Sequence, residues 1–255
     1  MNRIQTWSVE DLSSDVKSSV DQSVSQSSSR RGLHYSVFSP VHYEQNYAYP
    51  LIVWLHGTGD DENQLARVMP LISMRNYVAI APRGISDAAG NGCSWPDSDY
   101  ALGQAQQRVF DCIDEATIRF HVAPKRIFLA GLQCGGSMAF RVAMSAPHRF
   151  GGVLSLAGGF PQENAPLSRI NELRDLPLFI AHGRESTYYP VDQACHDLRL
   201  FHVAGMCVTL RQYPCGDEVH VQMLSDMDKW MMEQVTGCDL TKPRQSFPLR
   251  PGESN

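Results

Sequence analysis

The stretch that most restricts the fold is Ile127-Phe128-Leu129-Ala130-Gly131, followed by Leu132-Gln133-Cys134-Gly135-Gly136 and then Ser137-Met138-Ala139-Phe140. The run from Ile127 to Ala130 is apolar. Lys125-Arg126 bounds it on one side and glycine on the other, as expected of a core strand in a parallel sheet. Glycines stand two residues before and two residues after Gln133. A sharp strand-to-helix turn needs that spacing when its central side chain is held above the sheet and its neighbours must lack a Cβ. The pattern predicts a strand, a strained turn with residue 133 at its apex, and a helix running to about Ser145.

The rest of the chain alternates in the same way. Leu33 to Ser39 alternates apolar and polar and predicts an early antiparallel strand. Leu51 to Leu55 and Tyr77 to Ala81 are continuous apolar runs, read as buried strands. Between them, Asn63 to Met69 suits a short helix. Ile85 to Tyr100 reads as a loop at a strand end, where Trp95-Pro96-Asp97 is either an aromatic wall or a packing anchor. Leu102, Ala105, Val109, Ile113, Ala116 and Phe120 share one helical stripe, predicting a helix over 102–121. Strands follow at Gly152–Ala157, Leu178–Ala181 and Met206–Tyr213. Helices follow at 192–203, with Ala194, Leu198 and Phe201 inward, and at 219–235, with Met223, Met227, Trp230, Met231 and Gln234 in register. Regular alternation predicts an α/β fold: a mostly parallel, twisted sheet with helices on both faces.

Composition places limits on partners and surroundings. The formal net charge of −5 argues against general nucleic-acid binding. No apolar run is long enough to span a membrane. The N-terminus has no apolar segment behind a basic start, so a secretory signal is not expected. Seven scattered cysteines without CxxC spacing predict free thiols and a cytoplasmic location. The serine-rich residues 1–31 read as a flexible leader, although Val16, Val20 and Val24 recur at helical spacing. Residues 32–235 form the α/β domain, and 236–255 a proline-containing tail.

Four motifs in order carry a family resemblance: Leu51-Ile52-Val53-Trp54-Leu55-His56-Gly57-Thr58-Gly59, the turn Gly131 to Gly136, His182-Gly183, and Tyr213-Pro214-Cys215-Gly216-Asp217-Glu218. Each falls at a strand end. From Tyr49 to about Glu233 the chain resembles the α/β-hydrolase fold, within it the phospholipase/carboxylesterase and dienelactone-hydrolase-like esterases. The resemblance makes the turn around residue 133 a nucleophile elbow of Gly-x-Ser-x-Gly type. It implies an oxyanion hole from the backbone N–H groups of Thr58 (or Gly57) and Cys134. It puts the nucleophile at Gln133. In place of the His-Gly-x-x-Asp acid the chain has Ser186, and in place of the Gly-His base it has Asp217.

A carboxamide is no nucleophile, a serine does not stabilise an imidazolium as a carboxylate does, and Asp217 has no imidazole to orient. The expectation is therefore a pseudo-hydrolase with a degenerate triad and no cofactor. It would bind a small molecule, an acyl-ester-like ligand or a partner. The alternative is an active ester or thioester hydrolase using Cys134, whose place at a helix start favours a thiolate. His220, three residues after Asp217, is a rescue candidate for the base or a helix-capping residue. His56, Cys134, Cys215, Asp217 and His220 match no zinc spacing, and no metal site is expected. Oligomeric state is not legible.

Overall fold

The computed structural model describes residues 26–30, 32–86, 92–161 and 170–237. In chain order these form β1 (Gln26–Arg30), β2 (Leu33–Phe38), β3 (Tyr49–Leu55), α1 (Gln64–Ile72), β4 (Val78–Pro82), β5 (Ile85–Ser86), β6 (Cys93–Ser94), α2 (Asp99–Arg119), β7 (Val122–Leu132), α3 (Cys134–Ser145), β8 (Gly152–Leu156), α4 (Ile170–Leu173), β9 (Leu178–Gly183), α5 (Val191–Ala204), β10 (Val208–Tyr213) and α6 (Val221–Thr236).

Eight strands make the main sheet in the order β1-β2-β4-β3-β7-β8-β9-β10. β1, β2 and β4 pair antiparallel; every pairing from β4 to β10 is parallel. Parallel neighbours need crossovers, and the apolar stripes of the helices supply them. Side chains alternate along each strand, so each face gathers its own core. Leu51, Val53 and Leu55 of β3 join Val109 of α2, Phe140 of α3 and Phe201 of α5 on one face. Ile52 and Trp54 join Leu65 and Val68 of α1 and Met223, Met227 and Trp230 of α6 on the other. β3 and β8 are buried at every residue, as expected of strands covered on both sides.

Several expectations are corrected. β1 lies inside the stretch read as a flexible leader. It pairs residue for residue with β2 after the turn at Gly32, whose φ is +81°. An edge strand draws on backbone hydrogen bonds, so a serine-rich segment can form one without apolar side chains. The possible helix around Val16, Val20 and Val24, and the tail from residue 238, lie outside the described residues. The segment 85–100 is not wholly loop: β5 pairs with β6, and α2 begins at Asp99 behind a Ser98 cap that accepts from Ala101 N. β7 begins five residues before Ile127, beyond Pro124, because a register shift between Tyr49 and Leu51 of β3 absorbs the irregularity. Leu198 is 38% exposed instead of inward, and Gln234 faces solvent.

Candidate functional site

β7 delivers the chain to the sheet's C-terminal edge, and α3 starts one residue after the apex. Gln133 has φ 49° and ψ −116°, a conformation L-residues rarely adopt. Such strain costs about 1–3 kcal/mol. The flanking glycines make it possible. A Cβ on Gly131 would strike the Gly135 backbone, and a Cβ on Gly135 would strike the carbonyl oxygens of Leu55 and His56. Two bonds pin the apex: Gln133 N donates to Leu156 O at 2.8 Å, and Gln133 O accepts from Ser137 N at 3.1 Å. The Gln133 carboxamide Nε2 donates to the backbone oxygen of Asp217 at 3.1 Å.

The structure brings Ser186 and Asp217 together. Ser186 Oγ donates to Asp217 Oδ1 at 2.5 Å and accepts from Tyr189 N at 2.9 Å. Asp217 also accepts from Thr187 N, Thr187 Oγ1 and Tyr188 N. Burial works against the charge of Asp217, yet the bonds from Ser186, Thr187 and Tyr188 outweigh it and hold the carboxyl below its ordinary value. In the esterase pattern the β9-end residue is the acceptor and its partner before the last helix is the donor. Here those roles are exchanged. Thr187 and Tyr188 are contributors that sequence reasoning missed; a hydroxyl and two amides of a loop leave no spacing signal.

The turn after β3 is held by His56 and Gln64. Gly84 N donates to His56 Nε2 at 2.9 Å, so Nδ1 carries the proton and donates to Gly57 O at 2.8 Å. Burial lowers the His56 pKa, although the bond to Gly57 and the nearby acids oppose it, and the ring stays neutral. Trp95 packs 5.3 Å from that ring and is 4% exposed, which makes it a packing anchor. Gln64 Oε1 accepts from both Trp54 Nε1 and Gly57 N. Gly57 N–H is therefore spent. The amide of Thr58, in an exposed residue, has no hydrogen-bond partner among the described residues. Cys134 is the first residue of α3, and the first-turn amides of a helix have no intrahelical acceptor.

The rescue candidates are engaged elsewhere. The Cys134 thiol is buried and faces the His56 carbonyl at 4.0 Å. His220 caps α6: its Nδ1 accepts from Gln222 N at 3.2 Å, and its ring stacks on Tyr213. Cys215 is buried, and that burial, with Glu218, Glu185 and Asp217 nearby, pushes its thiol up to about 11. Among the described residues no three His, Cys, Asp or Glu side chains are grouped to hold a metal. Tyr188, 44% exposed, stands beside Cys134 and Asp97, and burial followed by those neighbours pushes its phenol up to about 12. Asp97 pairs with the buried Arg141 of α3, which fixes the loop before α2.

A largely parallel sheet covered on both faces, with a glycine-framed, positive-φ turn between its central strand and the next helix, defines the α/β-hydrolase class. Residues 38–234 match the phospholipase/carboxylesterase family, and the chain belongs to it. It is 26% identical over 152 residues to a protein named as an esterase, NocK, of Nocardia uniformis subsp. tsuyamanensis; that match spans 56% of this chain and only 42% of the relative. It is 23% identical over 211 residues to a protein named as a carboxylesterase in Oryza sativa subsp. japonica, covering 74% of this chain and 89% of the relative. The carboxylesterase structure from Mesorhizobium loti superposes with a TM-score of 0.68 at 16% identity, over 82% of this chain and 98% of that one. No helix among the described residues is long and apolar enough to cross a membrane.

Proposed function

We propose that this chain is a pseudo-hydrolase, a carboxylesterase scaffold that binds a small ligand or partner without cleaving it. The observation that carries this reading is the occupancy of the elbow apex by Gln133, whose carboxamide nitrogen is bonded to the backbone of Asp217. No group at the apex can attack an acyl carbon. The side chains that meet below it, Ser186 and Asp217, contain no imidazole to accept the nucleophile's proton. Three departures at three separate strand ends form one connected set of hydrogen bonds, as expected if the site is retained for binding.

The test is hydrolysis of short-chain p-nitrophenyl esters. The wild-type chain is expected to stay at or below the roughly 10³-fold acceleration over water that an oxyanion hole and binding supply without a triad. Gln133→Ser alone is expected to remain inactive, because Asp217 and Ser186 are unchanged. The triple variant Gln133→Ser, Ser186→Asp, Asp217→His is expected to gain ester turnover, since the side chains at 186 and 217 already meet and the side chain at 133 reaches the backbone of residue 217. Wild-type turnover near the ordinary enzyme range of about 1–10³ s⁻¹ would overturn the proposal. If that turnover vanished in Cys134→Ala, the thiol would be the nucleophile.

A further inference from the structure

We propose that the open edge of β10, with the flank of α5 beside it, is the interface of a two-fold dimer whose occupant is a second copy of this chain. This goes beyond the reading of the elbow and does not depend on it. β10 is the last strand of the main sheet. Leu178 N donates to Cys207 O, and Arg184 N donates to Tyr213 O. In a parallel pair the residues that bond to a given neighbour alternate along the strand. Cys207, Thr209, Arg211 and Tyr213 therefore bond toward β9, and Val208, Leu210 and Gln212 turn their backbone N–H and C=O outward. Among the described residues no backbone group bonds to those outward groups. β10 has no proline, lysine or register shift to blunt its edge. Its one charge, Arg211, is held by Asp226 of α6 at 3.0 Å.

Two copies of this edge complement each other. With a two-fold axis at Leu210, Val208 meets Gln212 of the second copy and Leu210 meets Leu210 of the second copy. Each such pair exchanges two backbone hydrogen bonds, and no other antiparallel register engages all three outward residues. Arg211 then stands opposite Thr209 of the second copy, not opposite a like charge. The helices agree with this pairing. Ala194, Asp197, Phe201 and Ala204 of α5 face the core. At about 100° per residue, Gln193 and Leu200 fall on one flank of α5, and Val191 and Leu198 on the other. Gln193 Nε2 would stand 2.7 Å from a Cβ on Gly159, just after β8, so that flank faces inward along the sheet. Val191, 46% exposed, and Leu198, 38% exposed, therefore face the open edge. A crossover helix lies over the two strands it joins, so pairing two β10 strands brings two α5 helices to about 10 Å, within packing distance. The stripe that predicts Leu198 inward then finds its cover in the second copy. The chain's own residues 238–255 suit this edge poorly. The steps β7–α3–β8 and β9–α5–β10 move toward the edge with their helices on one face, and α6 packs on the other. A parallel strand added after α6 would make a crossover of the opposite hand, and about 98% share the usual hand. Antiparallel addition meets Pro243, Pro248 and Pro251, which lack the N–H a ladder needs.

Sedimentation velocity of the full chain across micromolar concentrations is the test, with hydrogen exchange followed over the same dilution series. A species of twice the 28.5 kDa chain mass is expected, dissociating on dilution. The amides of Val208, Leu210 and Gln212 are expected to slow as the dimer forms and to be among the fastest strand amides in the dilute monomer. Val208→Pro sits at the first residue of β10, where proline is tolerated, and removes an outward donor from each copy. It is expected to weaken dimerisation by about tenfold to a hundredfold. Leu198→Lys is expected to weaken it by about tenfold, through an unpaired charge at the helix flank. Val203→Lys is the control: Val203 is 85% exposed on the side of α5 away from the sheet, and the dissociation constant is expected to stay unchanged. Should Val208→Pro fail to fold, Leu198→Lys and Val203→Lys decide. A monomer at every concentration would overturn the proposal. If the three amides were nevertheless protected in that monomer, the chain's own undescribed residues would be the cover; if they exchanged freely, the edge would be left to a different partner. A dimer as sensitive to Val203→Lys as to Leu198→Lys, or indifferent to Leu198→Lys, would overturn it equally.

Discussion

Asp217 shows how much a single side chain is asked to hold at this site. Its carboxylate gathers bonds from Ser186, Thr187 and Tyr188, and its backbone oxygen holds Gln133. The folded state lowers its pKa below the ordinary 3.8. A depressed carboxyl contributes stability that is fully present above the unfolded value and is lost as pH falls through the folded value. The loss is therefore expected below about pH 4. Asp217→Asn is expected to cost about 1–3 kcal/mol at neutral pH, because an amide group meets donors where a charged acceptor stood. The same variant is expected to flatten the acid limb of stability below pH 4. Urea unfolding across pH 2–7 checks both, and an unchanged acid limb would show that Asp217 is not the titrating group.

At the scale of elements, the strand–turn–helix unit of β7 and α3 is the most demanding. Gly135 lies where α3 passes the end of β3, so any Cβ there meets the Leu55 and His56 carbonyls. Gly103, inside α2, has nothing within 4 Å of a built Cβ. Opposite outcomes are expected for one chemical change. Gly135→Ala should destabilise by about 3 kcal/mol, since rigid backbone cannot move aside. Gly103→Ala should stabilise by about 0.5–1 kcal/mol through helix propensity alone. Denaturant midpoints at constant slope check the pair.

For the whole molecule, stability is expected to fall from the sheet's centre to its margins. β3, β7 and β8 lie between covered faces, while β1 and β10 are edges and β10 is only partly buried along most of its length. Native-state hydrogen exchange of the dilute monomer should show the slowest amides in β3, β7 and β8 and the fastest strand amides in β1 and β10. Faster exchange in β8 than in β10 would contradict this ordering.

The alternation of the strands and helices from β2 to α6 that make up the main sheet and its covering, the two-sided core and the apex at residue 133 were legible in the amino-acid sequence; β1, the β5–β6 pair and the short helix α4 were not. Apolar runs of four to seven residues, 3.6-residue stripes and the paired glycines are local signals of burial and sterics. Residues 133, 186 and 217 were assigned by resemblance to motifs at strand ends. What the sequence could not carry was pairing between distant segments. β1 is serine-rich, and its hydrogen bonds to β2 leave no hydrophobic trace. Nothing in Gln64 announces that it takes the Gly57 amide, and nothing in His220 decides between capping a helix and serving as a base. Leu198 lies on the stripe that predicts burial, yet the fold leaves it exposed. Periodicity reports which face a residue occupies within its own element. Only the tertiary structure decides what covers that face, which donor meets which acceptor, and that Gln133 turns its nitrogen to Asp217.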